Sequence, residues 1–339
     1  MFTKQRIRKT IFSLHQYLGL LLGALLAVTG LSGSLLVFDH ALDEVLTPQL
    51  QTESKQYSTR LQQVRDAAQA AMPAGSKANR IEIARKNGSP HIVRFTSPVP
   101  TQQRIDVNVD PNTAQVLAVR TWGFYPMSWV YRLHYTLLAG DTGKTIVGVV
   151  GFILLFFGVS GVYLWWPGKG RWRQALRITK HASSLRFYRD FHQVAGVISL
   201  PVLGLCAITG ITMVFNNQAR YLLASITELQ PPPAYSVTAS GQHQPLDLLI
   251  KKAHAYWPDA EVKSVFLTKN ATDSLRLAIR LPAEPWQNYA ASSLWLNPYS
   301  GEVIGANNAS QAPLGNAILS WVFPLHNADA LGLVGRWLW

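Results

Sequence analysis

His15-Gln16-Tyr17-Leu18-Gly19 stands at the head of an apolar run that continues to Phe38, and His192-Gln193-Val194-Ala195-Gly196 heads another, 177 residues later. Val37-Phe38 returns as Val214-Phe215 at the same offset, and Thr29-Gly30 returns as Thr209-Gly210 with a slip of three. Such self-similarity marks an internal repeat and governs every later assignment. Each apolar run is followed by a long polar segment with a helical stretch (61–72; 246–257), a proline (Pro73; Pro258) and alternating strands such as 104–109 and 274–280. A turn follows, Asp110-Pro111-Asn112-Thr113 or Asn297-Pro298-Tyr299-Ser300-Gly301. Each segment closes on nearly the same phrase, Trp129-Val130-Tyr131-Arg132-Leu133-His134 and Trp321-Val322-Phe323-Pro324-Leu325-His326. Gly140, Gly143 and Lys144 follow the first, and Gly332, Gly335 and Arg336 the second.

Three apolar runs reach the ~20 residues that a helix needs to cross a bilayer, and they place transmembrane helices at 11–38, 145–166 and 190–215. The first is too long for a signal peptide and no Ala-x-Ala-like site follows Ser34, so it reads as a retained anchor. Trp165-Trp166-Pro167 ends the second run as an interfacial aromatic pair. After His134 a span follows, so the repeat predicts a fourth helix beginning within 321–339. The small pairs Gly19/Gly23, Gly30/Gly33 and Gly158/Gly161 suit close helix packing or contact with a flat ligand.

The 339 residues are 48% hydrophobic and 14% charged, with a net charge of +13, a balance that fits either nucleic acid or a membrane surface. Position decides for the membrane. Lys4, Arg6, Arg8 and Lys9 precede the first span, and Lys169, Arg171, Arg173, Arg177, Lys180, Arg186 and Arg189 lie in the short segment 167–189. Basic residues beside spans mark cytoplasmic loops. No nucleic-acid motif is visible, and no nucleic-acid partner is expected. The segments 39–127 and 216–320 then lie outside as two α+β domains, joined to the spans by the histidine-bearing segments 128–144 and 321–339. The expected fold is a membrane α-helical bundle with two such outer domains and an internal duplication. The single cysteine, Cys206, excludes an internal disulfide, a Cys-x-x-Cys-His haem attachment and a thiolate cluster, and reads as a packing residue.

Of nine histidines, four fall at matching places: His15 with His192, and His134 with His326. The topology puts the first pair at the cytoplasmic face and the second at the outer face. A single such histidine reads as interfacial, bonded to headgroups or backbone. Two symmetric pairs point further, because ionisable groups at membrane depth are costly. Two neutral imidazoles facing across a helix bundle suit axial ligation of one haem iron, here a b-type haem because attachment cysteines are lacking. Two such haems would form an electron path through the bilayer. Zinc or copper fits less well, since four histidines split over two faces cannot meet at one ion. His40, His91, His181, His243 and His254 lie in polar segments and read as solvated.

The His-x-x-x-Gly start, the later Thr-Gly, the Leu-His phrase and the Trp-Trp-Pro exit resemble, in order and over nearly the whole chain, the PepSY-associated transmembrane family, and within it the FoxB-like inner-membrane ferric-siderophore reductases. That resemblance implies PepSY-like periplasmic domains, haem, and electron transfer from a cytoplasmic reductant or quinol to a ferric siderophore, with release of Fe(II). No nicotinamide or flavin fingerprint appears, so the donor is expected to be a partner. Trp122, Phe124, Tyr125, Trp129, Trp286 and Trp321 are candidates for a docking floor, or else for an interfacial belt and domain core. The rival reading is a non-catalytic PepSY sensor or regulator that binds an extracytoplasmic protein.

Overall fold

The computed structural model describes residues 3–53, 60–98, 102–179, 183–286 and 288–338. Three helices are long and apolar enough to span a membrane: α1 (Lys4–Leu36), with α2 (Asp39–Leu46) and α3 (Leu61–Ala70) after it in the chain, then α5 (Gly140–Trp165), which follows α4 (Pro126–Thr136), and α7 (Ser184–Val214), which follows the single turn α6 (Trp172–Ala175). Each begins several residues before its apolar run. In α1 and α7 the added residues include lysine, arginine or glutamine, which are good helix formers, so hydrogen bonding continues after hydrophobicity stops. Helix α5 ends at Trp165 because Pro167 pushes its predecessor out of helical geometry. After α8 (Asn216–Ala224), α9 (Leu246–Tyr256) and α10 (Leu314–His326), the chain turns by 85° into a further helical stretch, within which α11 spans Gly332–Leu338. The chain is a multi-pass membrane protein with three such helices, or four if the bent pair is one span. α5 packs along α7, α1 against α4 and α5, and α10 against α7.

The polar segments build a single eight-stranded antiparallel sheet. Its first half is β1 (Lys77–Glu82), β2 (His91–Thr96), β3 (Arg104–Val109) and β4 (Val116–Thr121). Its second half is β5 (Glu261–Phe266), β6 (Leu275–Arg280), β7 (Ser292–Leu296) and β8 (Val303–Asn307), and the order is β4-β3-β2-β1-β5-β6-β7-β8. Each half is one helix followed by a four-stranded meander, with a register shift at the same two places: between the first and second strands and between the third and fourth. The sequence reading had two outer domains. The structure joins them along β1 and β5, where Ile81 lies opposite Val265. Either meander alone would leave that strand as an open edge, and pairing the two removes both edges.

Helices α3 and α9 cover one face of the sheet. Val64 and Ala68 of α3 and Leu249 and Ala253 of α9 enter one core with Ile81, Val93, Phe95, Val107, Val265, Leu277, Ile279 and Leu294. Each of the larger fully buried side chains contributes roughly 1.5–3 kcal/mol. The two helices also cap each other. Leu61 N and Gln62 N donate to the Asp247 carboxylate at 2.8 and 3.2 Å, and Leu246 N donates to Gln62 Oε1 at 3.3 Å. Asp247→Ala leaves the α3 N-terminus uncapped and is expected to destabilise the sheet domain by about 1–2 kcal/mol, read as a lower denaturation midpoint. An unchanged midpoint would show that water caps the helix equally well.

Of the histidines read as solvated, one is buried and one is partly so. His91 is 2% exposed on the core-facing side of β2, accepts a hydrogen bond from Ala84 N at Nδ1, and burial pushes its pKa down to about 4. His40 is half-buried beside Asp39, and burial, then Arg85, pushes its pKa down to about 3. His243 and His254 are exposed. His181, Lys180 and Trp339 lie outside the described residues. Nor do the six outer aromatics form one floor. Trp286 is 3% exposed, donates to Glu284 and stacks edge-on against Trp321, whereas Phe124 is 73% exposed.

Candidate functional site

The four repeat-related histidines meet as two pairs. His15 on α1 and His192 on α7 have ring centroids 6.2 Å apart at an interplanar angle of 79°. His134 on α4 and His326 on α10 are 6.1 Å apart at 48°. The second pair lies at the sheet end of the bundle, because α4 follows β4 directly. The first lies at the opposite end. Along α1, His15 precedes Thr29, which touches His134, by fourteen residues, about 21 Å of helix. Along α7, His192 precedes Thr209, which touches His326, by seventeen, about 26 Å. Among the described residues no group of three or more His, Cys, Asp or Glu side chains converges as on a zinc ion.

The hydrogen-bond partners of three of these histidines favour one tautomer of each ring. His134 Nδ1 lies 2.9 Å from the Thr29 carbonyl, which only accepts, so Nδ1–H donates. Ser160 Oγ gives its proton to the Phe156 carbonyl at 2.6 Å, so its oxygen accepts from His15 Nδ1 at 2.8 Å. Thr209 Oγ1 donates to the Leu205 carbonyl at 2.6 Å and accepts from His326 Nδ1 at 2.9 Å. Each of these imidazoles therefore keeps its lone pair on Nε2, the form in which a neutral histidine ligates a metal. Sequence reasoning missed Ser160, and Thr209 entered it only as a repeat marker.

These contacts also correct the alignment of the two halves. Thr29-Gly30 was matched to Thr209-Gly210 with a slip. In space the 177-residue offset holds without one. Ser32 Oγ lies 3.4 Å from His134 Nδ1 where Thr209 serves His326, and Gly33 faces His134 where Gly210 faces His326. A Cβ on Gly33 would come within 2.9 Å of His134 Cε1, and one on Gly210 within 3.3 Å of His326 Cε1. These glycines are the space in which the imidazoles lie.

At the other end the glycines do something different. Gly19 and Gly196 each lie four residues after a histidine, on the same helical face. A Cβ on either would meet nothing within 4 Å, and the same holds for Gly23 and Gly30. Of the two readings of the small pairs, close helix packing does not hold at Gly19, Gly23 and Gly30, and contact with a flat ligand stays open. Gly158, by contrast, is filled by Leu200, and Gly161 by His15.

Among curated proteins, nothing matches this chain. A family profile described as the PepSY-associated TM region matches residues 12–339, which takes in all four histidines, the spans and the sheet. With that match over nearly its whole length, the chain belongs to the PepSY-associated TM region family.

Proposed function

We propose that the protein is a haem-containing reductase of a bacterial inner membrane that passes electrons across the bilayer to a ferric siderophore and so releases Fe(II). The observation that carries this reading is the spacing of the imidazoles. Two imidazoles that would hold one metal ion between them must leave room for it, with ring centres about 6 Å apart. The two pairs stand at 6.2 and 6.1 Å. The engagement of His15 Nδ1 by Ser160 and the open helix faces at Gly19 and Gly196 favour the same ligand, a flat group set between helices. His15 with His192, and His134 with His326, would hold two b-type haems. When bound, such a group supplies one-electron redox chemistry, and two in series link the two membrane faces.

The chain's own residues supply the rest. Ser160, Thr29 and Thr209 fix the rings through Nδ1 and raise the basicity of the other ring nitrogen. The basic residues of 4–9 and 167–189 favour a cytoplasmic position for the His15–His192 end. The sheet then lies in the periplasm, formed by two PepSY-like domains that arose by duplication. A cytoplasmic reductant or a quinol delivers the electron. Ferric siderophores bind iron through hard oxygen donors, and one electron added to Fe(III) gives Fe(II), which those donors hold more weakly.

The test is direct. Pre-reduced protein is mixed without oxygen with ferric siderophores of hydroxamate, catecholate and carboxylate types and a ferrous-specific chelator. Reoxidation of the protein, with one Fe(II) captured per electron lost, is the expected result. No reoxidation by any of them would instead favour a regulator whose sheet domain binds an extracytoplasmic protein.

A further inference from the structure

On the face of the sheet turned away from α3 and α9, cross-strand partners run in one line: Asp106, Arg94, Arg80, Phe266, Arg276 and Trp295. Directly opposed residues share a face. This face looks toward the helices that carry the sheet-end histidine pair. Asp43 of α2 grips Arg120 at 3.0 and 2.8 Å, and Tyr125, at the start of α4, donates to Asp106 at 3.2 Å. Tyr289, within electrostatic reach of Arg276, lies 5.9 Å from Phe323, one turn before His326.

The acids here do not suffice for the arginines. Asp43 is taken by Arg120, Asp106 by Arg104 at 2.9 and 2.8 Å, and Glu82 by Arg94 at 2.5 Å. Two guanidiniums remain. Arg80 reaches Ser264 at 3.1 Å and stands 3.5 Å from the already engaged Glu82, and its buried Nε has no hydrogen-bond partner among the described residues. Arg276 has no carboxylate and no hydrogen bond among the described residues. Both lie over one ring, Phe266, at 4.7 and 3.7 Å from its centroid. Burial lowers the Arg80 pKa as the largest effect; Glu82 opposes it, and the like charges of Arg94, Arg104 and Arg276 add to it. A half-buried site with two planar donors on one aromatic ring, of which Arg276 has no carboxylate and Arg80 only a share of Glu82, suits an anion with forked oxygens.

We propose that Arg80 and Arg276 bind a carboxylate-bearing, net-anionic ferric chelate on the sheet face that looks toward the His134–His326 pair. The iron in that ligand rests on the reductase reading; the anion preference rests on the arginines alone. A chelate carrying a pendant ammonium meets uncompensated positive charge there and is disfavoured.

The experiment reads binding, not reduction. Oxidised full-length protein in phosphatidylcholine nanodiscs is dialysed to equilibrium against radio-iron ferric citrate, a net anion, or ferrioxamine B, a net cation. Wild type is expected to prefer ferric citrate. Arg276→Gln, which breaks no ion pair, should weaken that binding about tenfold or more, with Arg276→Lys intermediate. Arg65→Gln, on α3 at the covered face, should leave it unchanged. Equal affinity for the two chelates, or an unaltered Arg276→Gln, overturns the proposal. So does competition by iron-free citrate or inorganic phosphate as strong as by the chelate, or loss of binding when phosphatidylglycerol replaces phosphatidylcholine, which assigns the pair to a lipid headgroup. Binding without reduction would sink the reductase reading and leave this site standing.

Discussion

Replacing His326 by alanine is expected to cut the low-spin haem signal of the purified protein by about half, because a bis-imidazole site cannot form with one imidazole while the other pair is untouched. The pairs are separated by about 21–26 Å of helix, and no hydrogen-bonded chain among the described residues joins them. His134→Ala should give the same half-loss, and the double variant no more than either alone. His15→Ala should remove the other half. The exposed His254→Ala should change nothing. Thr209→Val removes one hydrogen-bond partner of the His326 imidazole and leaves the Cys206 backbone, so haem should be held about 10-fold more weakly without a change of ligand type. Full spectra in all four single histidine variants would remove the assignment of these residues as ligands.

Gly19→Leu and Gly196→Leu are expected to empty the site at the His15–His192 end while leaving the protein folded. In the structure, a side chain at either position enters open space. Leucine also improves helix propensity by about 0.8 kcal/mol over glycine. If that space faces only lipid, both substitutions are harmless or stabilising. If a flat ligand lies between α1 and α7, each substitution places four carbons against it. Haem content measured beside thermal stability separates the outcomes: half the haem lost at an unchanged melting temperature supports the reading, and full haem retained contradicts it. Gly33→Ala is a different case, since its Cβ presses on the His134 ring itself and should perturb the other site.

The spans, the strands and the pairing of the histidines were all legible, because each follows from a local period or from the repeat. What lay beyond reach was non-local. Nothing in 77–82 or 261–266 marks those strands as partners, because an alternating strand looks the same at an edge as at a seam. The slipped alignment of Thr29 with Thr209 came from matching identities, whereas the structure conserves a job: a hydroxyl beside an imidazole, done by Ser32 in one half and Thr209 in the other. His91 carries a readable signal. It alternates with Val93 and Phe95 on β2, and that period places it in the core. Trp286 gave no such sign, since its burial depends on Glu284, which also gathers donors from Leu281, Ala291 and Ser292. That Arg80 and Arg276 share one ring follows from the register of β1, β5 and β6, which no local pattern encodes.

The most direct test is haem stoichiometry with the spectrum of the oxidised and reduced protein, expressed with ample haem and purified in mild detergent. About two b-type haems per chain, both low-spin as two axial imidazoles require, are expected. A folded protein that stays colourless, or one whose haem is high-spin with a single axial ligand, would contradict it.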